Sequence, residues 1–312
     1  MSTVRKLERD FLRADINSVD ALMKRLGDED VMARFGLEER LAELQGTLAG
    51  LEEAPPETSA SAALFFGGKP VIGSIGIESE FASAAVGQFQ DIVAKVLAHD
   101  TGNLAERGTV PRKTSSTLHI TNIVRGSFGF LLEEVRPQLQ ILDTSLKTAV
   151  DEATRLLDAF GEEDEEQFRT AVEDIDQRVL GTTREFFDLM RRSGATMRLV
   201  AGETDRSFAA EAVARAAERA KTTMIEDLDD TVTGQLAGVL PESHQFEFRA
   251  GAERGTIRGK VHRELTAHQL ALFNKEYVNV DARAVLKVKR VLRNGAIVRE
   301  GYTLMSIEPT SE

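Results

Sequence analysis

The hexapeptide Arg125-Gly126-Ser127-Phe128-Gly129-Phe130 sets a guanidinium beside two glycines that alternate with larger residues. That pattern suits a turn whose backbone N–H groups, helped by the cation, hold an anion or a peptide carboxylate while the next strand offers its edge. A second group is cationic. Lys287 and Lys289 fall on one face of a strand by its period of two, Arg290 adjoins them, and Arg258 and Lys260 could neighbour them across a pairing strand. Lysine and arginine in such a stripe are phosphate-binding chemistry, so this is the candidate nucleic-acid surface. The aromatic residues of the same region, Phe246, Phe248, Phe273, Tyr277 and Tyr302, read mostly as core rather than as a platform for stacking bases.

Other chemistry fails on its spacing. Gly67-Gly68-Lys69-Pro70 lacks the upstream glycine and the Ser/Thr of a phosphate-binding P-loop, and Gly73-Ser74-Ile75-Gly76 lacks the third glycine of a dinucleotide fingerprint. The five histidines form no HxH, HExxH or HxxxH pair, so no metal site is expected. Glu133 and Glu134 would point to opposite faces of a strand, and the acidic run Glu162–Glu166 suits the start of a helix. No serine sits in a GxSxG elbow. No catalytic set and no cofactor follow from these residues, and the chain reads as non-enzymatic.

Around Arg125–Phe130 the chain resembles the carboxylate-binding loop of PDZ domains, in which a basic residue precedes a Gly–apolar–Gly–apolar turn. The resemblance implies that Arg125 favours the anion and that Phe128 to Phe130 line a pocket. It stops where the chain turns helical near Gln138, before the further strands of a PDZ domain. The same segment, with Ile72–Ile77 and Phe81–Val96, is similar to uncharacterised bacterial proteins, some from phage-defence neighbourhoods. That resemblance implies a component of a defence system and brings no catalytic residues.

The elements that must position these residues fit within 312 residues, 42% hydrophobic and 29% charged, enough for two or three ordinary cores. With no Cys, disulfide frameworks, thiolate metal sites and thiol nucleophiles drop out. The charged N-terminal stretch lacks the apolar core of a signal peptide, and no run approaches the roughly 18 apolar residues of a membrane helix. A cytoplasmic protein without a membrane partner is expected. Net charge is -12, distributed unevenly: Pro241 to Glu312 holds 12 Lys+Arg against 9 Asp+Glu, leaving 27 against 42 for residues 1–240. The acidic body discourages non-specific nucleic-acid binding, and the mildly basic remainder permits it.

Ser18 is expected to cap a helix from Val19 to Leu26. Leu37, Leu41, Leu44, Leu48 and Leu51, spaced by 4, 3, 4 and 3, form a leucine stripe that packs either in an intramolecular hairpin or as a seam between copies. Pro55 and Pro56 end that helix and mark a linker. Ala62–Phe66 and Pro70–Ile77 read as two strands joined at Gly67-Gly68, followed by a Ser79-capped helix to about His99. Leu118–Val124 and Phe128–Val135 complete an antiparallel sheet with the helix on one face. Helical periodicity covers 138–222, broken by a short strand, Thr196–Ala201, after which Thr204 or Asp205 caps an alanine-rich helix. From Gln245 the pattern is β-rich, with Asn294-Gly295 as a two-residue hairpin turn.

These readings give an α+β protein: an N-terminal helical segment (1–54), a small antiparallel sheet with a helix (61–135), a helical region packing on it (136–240), and a small C-terminal β-barrel-like domain of SH3 or OB type (241–312). The function expected is that of an interaction or scaffold protein working through protein–protein contacts and self-association as a homo-oligomer. Nucleic-acid binding through the C-terminal domain is the alternative, and an unrecognised hydrolase comes third.

Overall fold

The computed structural model describes residues 4–27, 30–100, 113–124, 128–135, 142–173 and 175–310. The chain is α+β and divides into two units, Met1–Glu163 with Gly181–Ala220 and Asp164–Leu180 with Lys221–Glu312.

The first unit opens with two helices, α1 (Arg5–Met23) and α2 (Val31–Glu53), packed as an antiparallel hairpin. Arg13 bridges Glu52 at 2.8 Å, and Arg5 donates to the Ala54 carbonyl at 3.2 Å. Ser18 does not start a helix: it lies inside α1, where its hydroxyl donates to the Ala14 carbonyl (2.8 Å), the back-bond serine makes within helices. The expected start after Ser18 is therefore corrected to Arg5. The apolar spacing of Val4 and Leu7 continues that helix into the sheet core.

Strand β1 (Ser61–Gly68) is followed by two short strands, β2 (Val71–Ile72) and β3 (Gly76–Ile77), then α3 (Ser79–Asp100), β4 (His119–Val124), β5 (Phe128–Glu133) and α4 (Ser145–Gly161). Next come α5 (Glu165–Glu173), α6 (Gln177–Arg192), β6 (Ala195–Ala201), β7 (Thr204–Phe208) and α7 (Ala210–Thr222). The sheet of this unit is antiparallel in the order β4-β5-β1-β6-β7.

Gly67-Gly68 is not a turn joining β1 to its successor. Both glycines belong to β1, which lies at the centre of the sheet between β5 and β6, while β2 and β3 pair only with each other. The run Ala62–Phe66 is apolar throughout because both faces of β1 are covered. One face carries Val4 and Leu7 of α1 on Ala63, Phe65, Leu131 and Val200. The other sets Phe66 edge-on to Phe81 of α3 and to Phe130. Thr204 and Asp205 do not cap a helix either, since they are paired residues of β7 and the helix begins at Ala210.

The second unit comprises α5, the first residues of α6 and a closed ring of five strands. β8 (Thr223–Leu240), β9 (Gln245–Arg249), α8 (Gly251–Arg254), β10 (Thr256–Val261), α9 (Ala267–Tyr277), β11 (Asp281–Arg293) and β12 (Ala296–Pro309) run in the ring order β10-β12-β11-β8-β9. Pairing is antiparallel throughout the ring, β10 with β9 included, except where β10 and β12 meet in parallel. A Cβ on Gly259 would stand 2.1 Å from the Tyr302 carbonyl oxygen, so only glycine lets the backbones approach where the ring closes. Phe246, Phe248, Leu286 and Leu304 fill the interior with Leu270 of α9. Helix α9 starts with a capping box, Thr266 with Gln269, and Asn274 holds both the N–H and the carbonyl of Val239 at 2.7 Å. Asn294 and Gly295 turn β11 into β12 with positive φ at both residues, 50° and 79°. The long strand β8 falls in residues that the sequence pattern assigns to the helical region.

Candidate functional site

The segment Leu118–Val135 is a β-hairpin, β4 with β5, at one end of the first unit's sheet. Arg125, Gly126 and Ser127 lie outside the described residues, and Phe128, Gly129 and Phe130 begin β5. Gly129 has a packing cause. It faces Phe65 across the pair, and a Cβ there would come within 2.5 Å of the Phe65 ring, which lies over the glycine. The same ring receives the Arg198 guanidinium, its central carbon 5.5 Å from the ring centroid.

Strand β4 is the feature the hexapeptide pattern overlooks. Among the described residues it pairs with β5 alone, leaving its other backbone edge without a strand. A bulge shifts its register: Ile120 pairs with Leu132, Asn122 with Leu131 and Ile123 with Phe130, so Thr121 is the extra residue. Leu132 and Phe130 alternate onto one face of β5, and the bulge thereby brings Ile120 and Ile123 onto that same face. Without it their spacing of three would send them to opposite faces. Both isoleucines are 55% exposed, and the half-buried Phe128 and Phe130 continue the apolar surface along β5.

The strand is held in place from both ends of its pairing. Gln90 of α3 donates to the Ser116 carbonyl and accepts the Leu118 N–H (2.8 Å), fixing the entry to β4. The Thr121 hydroxyl donates to the Glu133 carboxylate, which anchors the bulged residue to β5. The Ile123 N–H donates to its neighbour's side chain, Asn122 Oδ1, at 2.8 Å. What this edge can do is accept an extended strand, with apolar side chains of that strand landing on Ile120 and Ile123.

The opposite edge, β7, is ionic. Arg198 on β6 grips Asp205 with two hydrogen bonds of 2.8 and 2.6 Å, and Lys6 of α1 adds a third at 3.3 Å. The Arg198 hydrogen bonds, against the opposing effect of burial, hold the Asp205 carboxyl below the ordinary aspartate value. Arg206 bridges Asp158 at 2.9 Å and Glu162 at 3.2 Å. Burial is the main influence on Asp158 and raises its pKa, with Arg206 pulling the other way. Lys6, Asp158, Glu203, Asp205 and Arg206 line an open groove of about 610 Å3, but its acids are tied to arginine or lysine and no nucleophile stands beside a base in it.

The basic stripe faces acids. In the register of β11 on β8, Lys287 lies opposite Asp229, Lys289 opposite Asp227 and Arg290 opposite Glu226. Directly opposed residues are the closest neighbours on a sheet face, so each cation has a carboxylate beside it. Arg290 also bridges Glu300 at 2.6 Å, Arg258 bridges Glu247 at 3.1 Å, and Lys289 donates to the Ile175 carbonyl at 3.2 Å. Lys260 sits on β10 opposite Gln245 and, where the ring closes, Thr303. Counted over the whole second unit, the positive balance of 241–312 disappears: residues 221–240 bring one Lys against four acids and 164–180 two Arg against six, so the unit holds 15 basic and 19 acidic residues. The acidic run that precedes β11 in sequence, Glu226 to Asp230, is the signal that could have shown this.

Leu44 is buried at 4% exposure, and Leu37, Leu41, Leu48 and Leu51 are half-buried on α2, the helix that packs on α1. Among the described residues no helix is long and apolar enough to cross a membrane, and no cluster of three or more His, Asp or Glu is placed to hold a metal ion. Comparison with protein-family models, with curated proteins and with solved structures finds no match to this chain.

Proposed function

We propose that the chain is a non-catalytic interaction protein that works by adding a strand of a protein partner to the edge of β4. One observation carries this reading: a backbone edge without a neighbouring strand among the described residues lies beside two isoleucines that a bulge has turned onto one face and left exposed. Natural sheets usually blunt such an edge with charge, and β4, HITNIV, contains no Asp, Glu, Lys or Arg. A cytoplasmic setting goes with this reading, on the sequence grounds already given. A role in phage defence stays with the sequence resemblance alone, since no residue of the edge bears on it.

The test is a fluorescence-anisotropy titration of the full chain with a short labelled peptide of alternating Val and Thr. Saturable binding that Ile120→Lys with Ile123→Lys abolishes is the expected result. Absence of binding to the wild-type chain, or binding that the two lysines leave intact, would remove the proposal.

A further inference from the structure

We infer that the strand received by β4 is β4 of a second copy, paired antiparallel about a two-fold axis between Thr121 and Asn122. This rests on the strand-addition reading and names its partner. The register follows from the bulge. An antiparallel pair centred between residues 121 and 122 sets Thr121 opposite the partner's Asn122 and Ile120 opposite the partner's Ile123, each contact occurring twice by symmetry. A two-fold axis normal to the sheet keeps the faces of the two copies aligned, so both Ile–Ile contacts fall on one side. That is possible only because the extra residue Thr121 puts Ile120 and Ile123 on the same face of their own strand. Paired this way, each copy extends the other's antiparallel sheet, and the exposed halves of four isoleucines leave water together.

Charge selects the same contact. The chain carries -12, so two copies repel over most of their surfaces. The β7 edge would set Asp205 and Arg206, already committed to Arg198, Lys6, Asp158 and Glu162, against another strand. The β4 strand contains no Asp, Glu, Lys or Arg, so no charged carboxylate or ammonium of the strand repels its own copy there.

Two measurements on the full chain test the inference. Sedimentation velocity over a concentration series should show a dimer that Ile120→Lys with Ile123→Lys converts to monomer. Both side chains are more than half exposed, so the variant keeps its fold, which circular dichroism verifies. The register is tested by cross-linking, which the absence of native cysteine makes clean. Ile120→Cys mixed with Ile123→Cys should oxidise to a mixed disulfide far faster than either variant alone. In the inferred register the two copies of residue 120 stand roughly 10 Å apart along the strand, beyond the reach of a disulfide. A monomeric wild-type chain, a dimer that survives both lysines, or equal cross-linking by single and mixed variants would each overturn the inference. Peptide binding by a chain that stays monomeric would overturn the second copy as partner while leaving strand addition standing, whereas loss of peptide binding as well would remove both.

Discussion

The two outer strands of one sheet are treated oppositely. β7 carries two charged side chains, and each is drawn into bonds with neighbouring elements: Asp205 to Arg198 and Lys6, Arg206 to Asp158 and Glu162. At β4 two of the exposed side chains are isoleucines, and a bulge gathers them on one face. Edge strands invite pairing with other chains, and charge is the usual deterrent. One sheet that deters pairing at β7 and leaves β4 without charge has a preferred direction of growth. The physical basis lies in a single row across the sheet, where the Phe65 ring covers Gly129 towards β4 and accepts Arg198 towards β7.

Breaking that row should have the largest effect. Phe65→Ala removes a side chain only 4% exposed and is expected to cost about 3 to 4 kcal/mol of unfolding free energy, loosening both edges at once; urea denaturation reads it as a fall in midpoint. Gly129→Ala is expected to cost about 1 to 3 kcal/mol, because the new Cβ would force the Phe65 ring aside. Its damage should fall on the β4–β5 side, visible as faster amide exchange there than in β7.

Asp205→Asn sharpens the comparison from the other edge and is expected to cost about 1 to 2 kcal/mol at neutral pH. Its carboxyl titrates below the ordinary aspartate value in the folded chain. The stabilisation is therefore present at neutral pH, above the unfolded value, and is lost as pH falls through the folded one. Denaturation midpoints of wild type and variant should converge below about pH 4. The smallest stability change belongs to Ile120→Lys with Ile123→Lys, within about 0.5 kcal/mol, since both positions are exposed. A larger loss would mean that the isoleucines serve the fold rather than a partner.

The sequence pattern exposes the β4–β5 hairpin and the Asn294-Gly295 turn because each is local: two apolar runs around a short turn, and a dipeptide suited to positive φ. It misses the place of β1, since an apolar run buried on both faces looks the same whichever strands flank it. The partners of β1, Phe128–Glu133 and Ala195–Ala201, lie far along the chain. It misses β8 because the acidic run Glu226 to Asp230 lacks the alternating apolar residues of a strand, and its partners Lys287, Lys289 and Arg290 come beside it only in the fold. The glycine of the supposed carboxylate loop is explained by a ring sixty-four residues away, at Phe65. Above all, Ile120 and Ile123 at a spacing of three read as residues of opposite faces, and no local residue type announces the bulge that unites them.

The account's central claim is that β4, and not β7, is the edge that takes a partner strand. Amide hydrogen exchange of the full chain, at a concentration where sedimentation finds it monomeric, with and without the Val/Thr peptide tests it most directly. Exchange across His119–Val124 should slow on adding peptide, with Thr204–Phe208 unchanged. Protection appearing in β7, or β4 exchanging at the same rate with saturating peptide as without it, would contradict the claim.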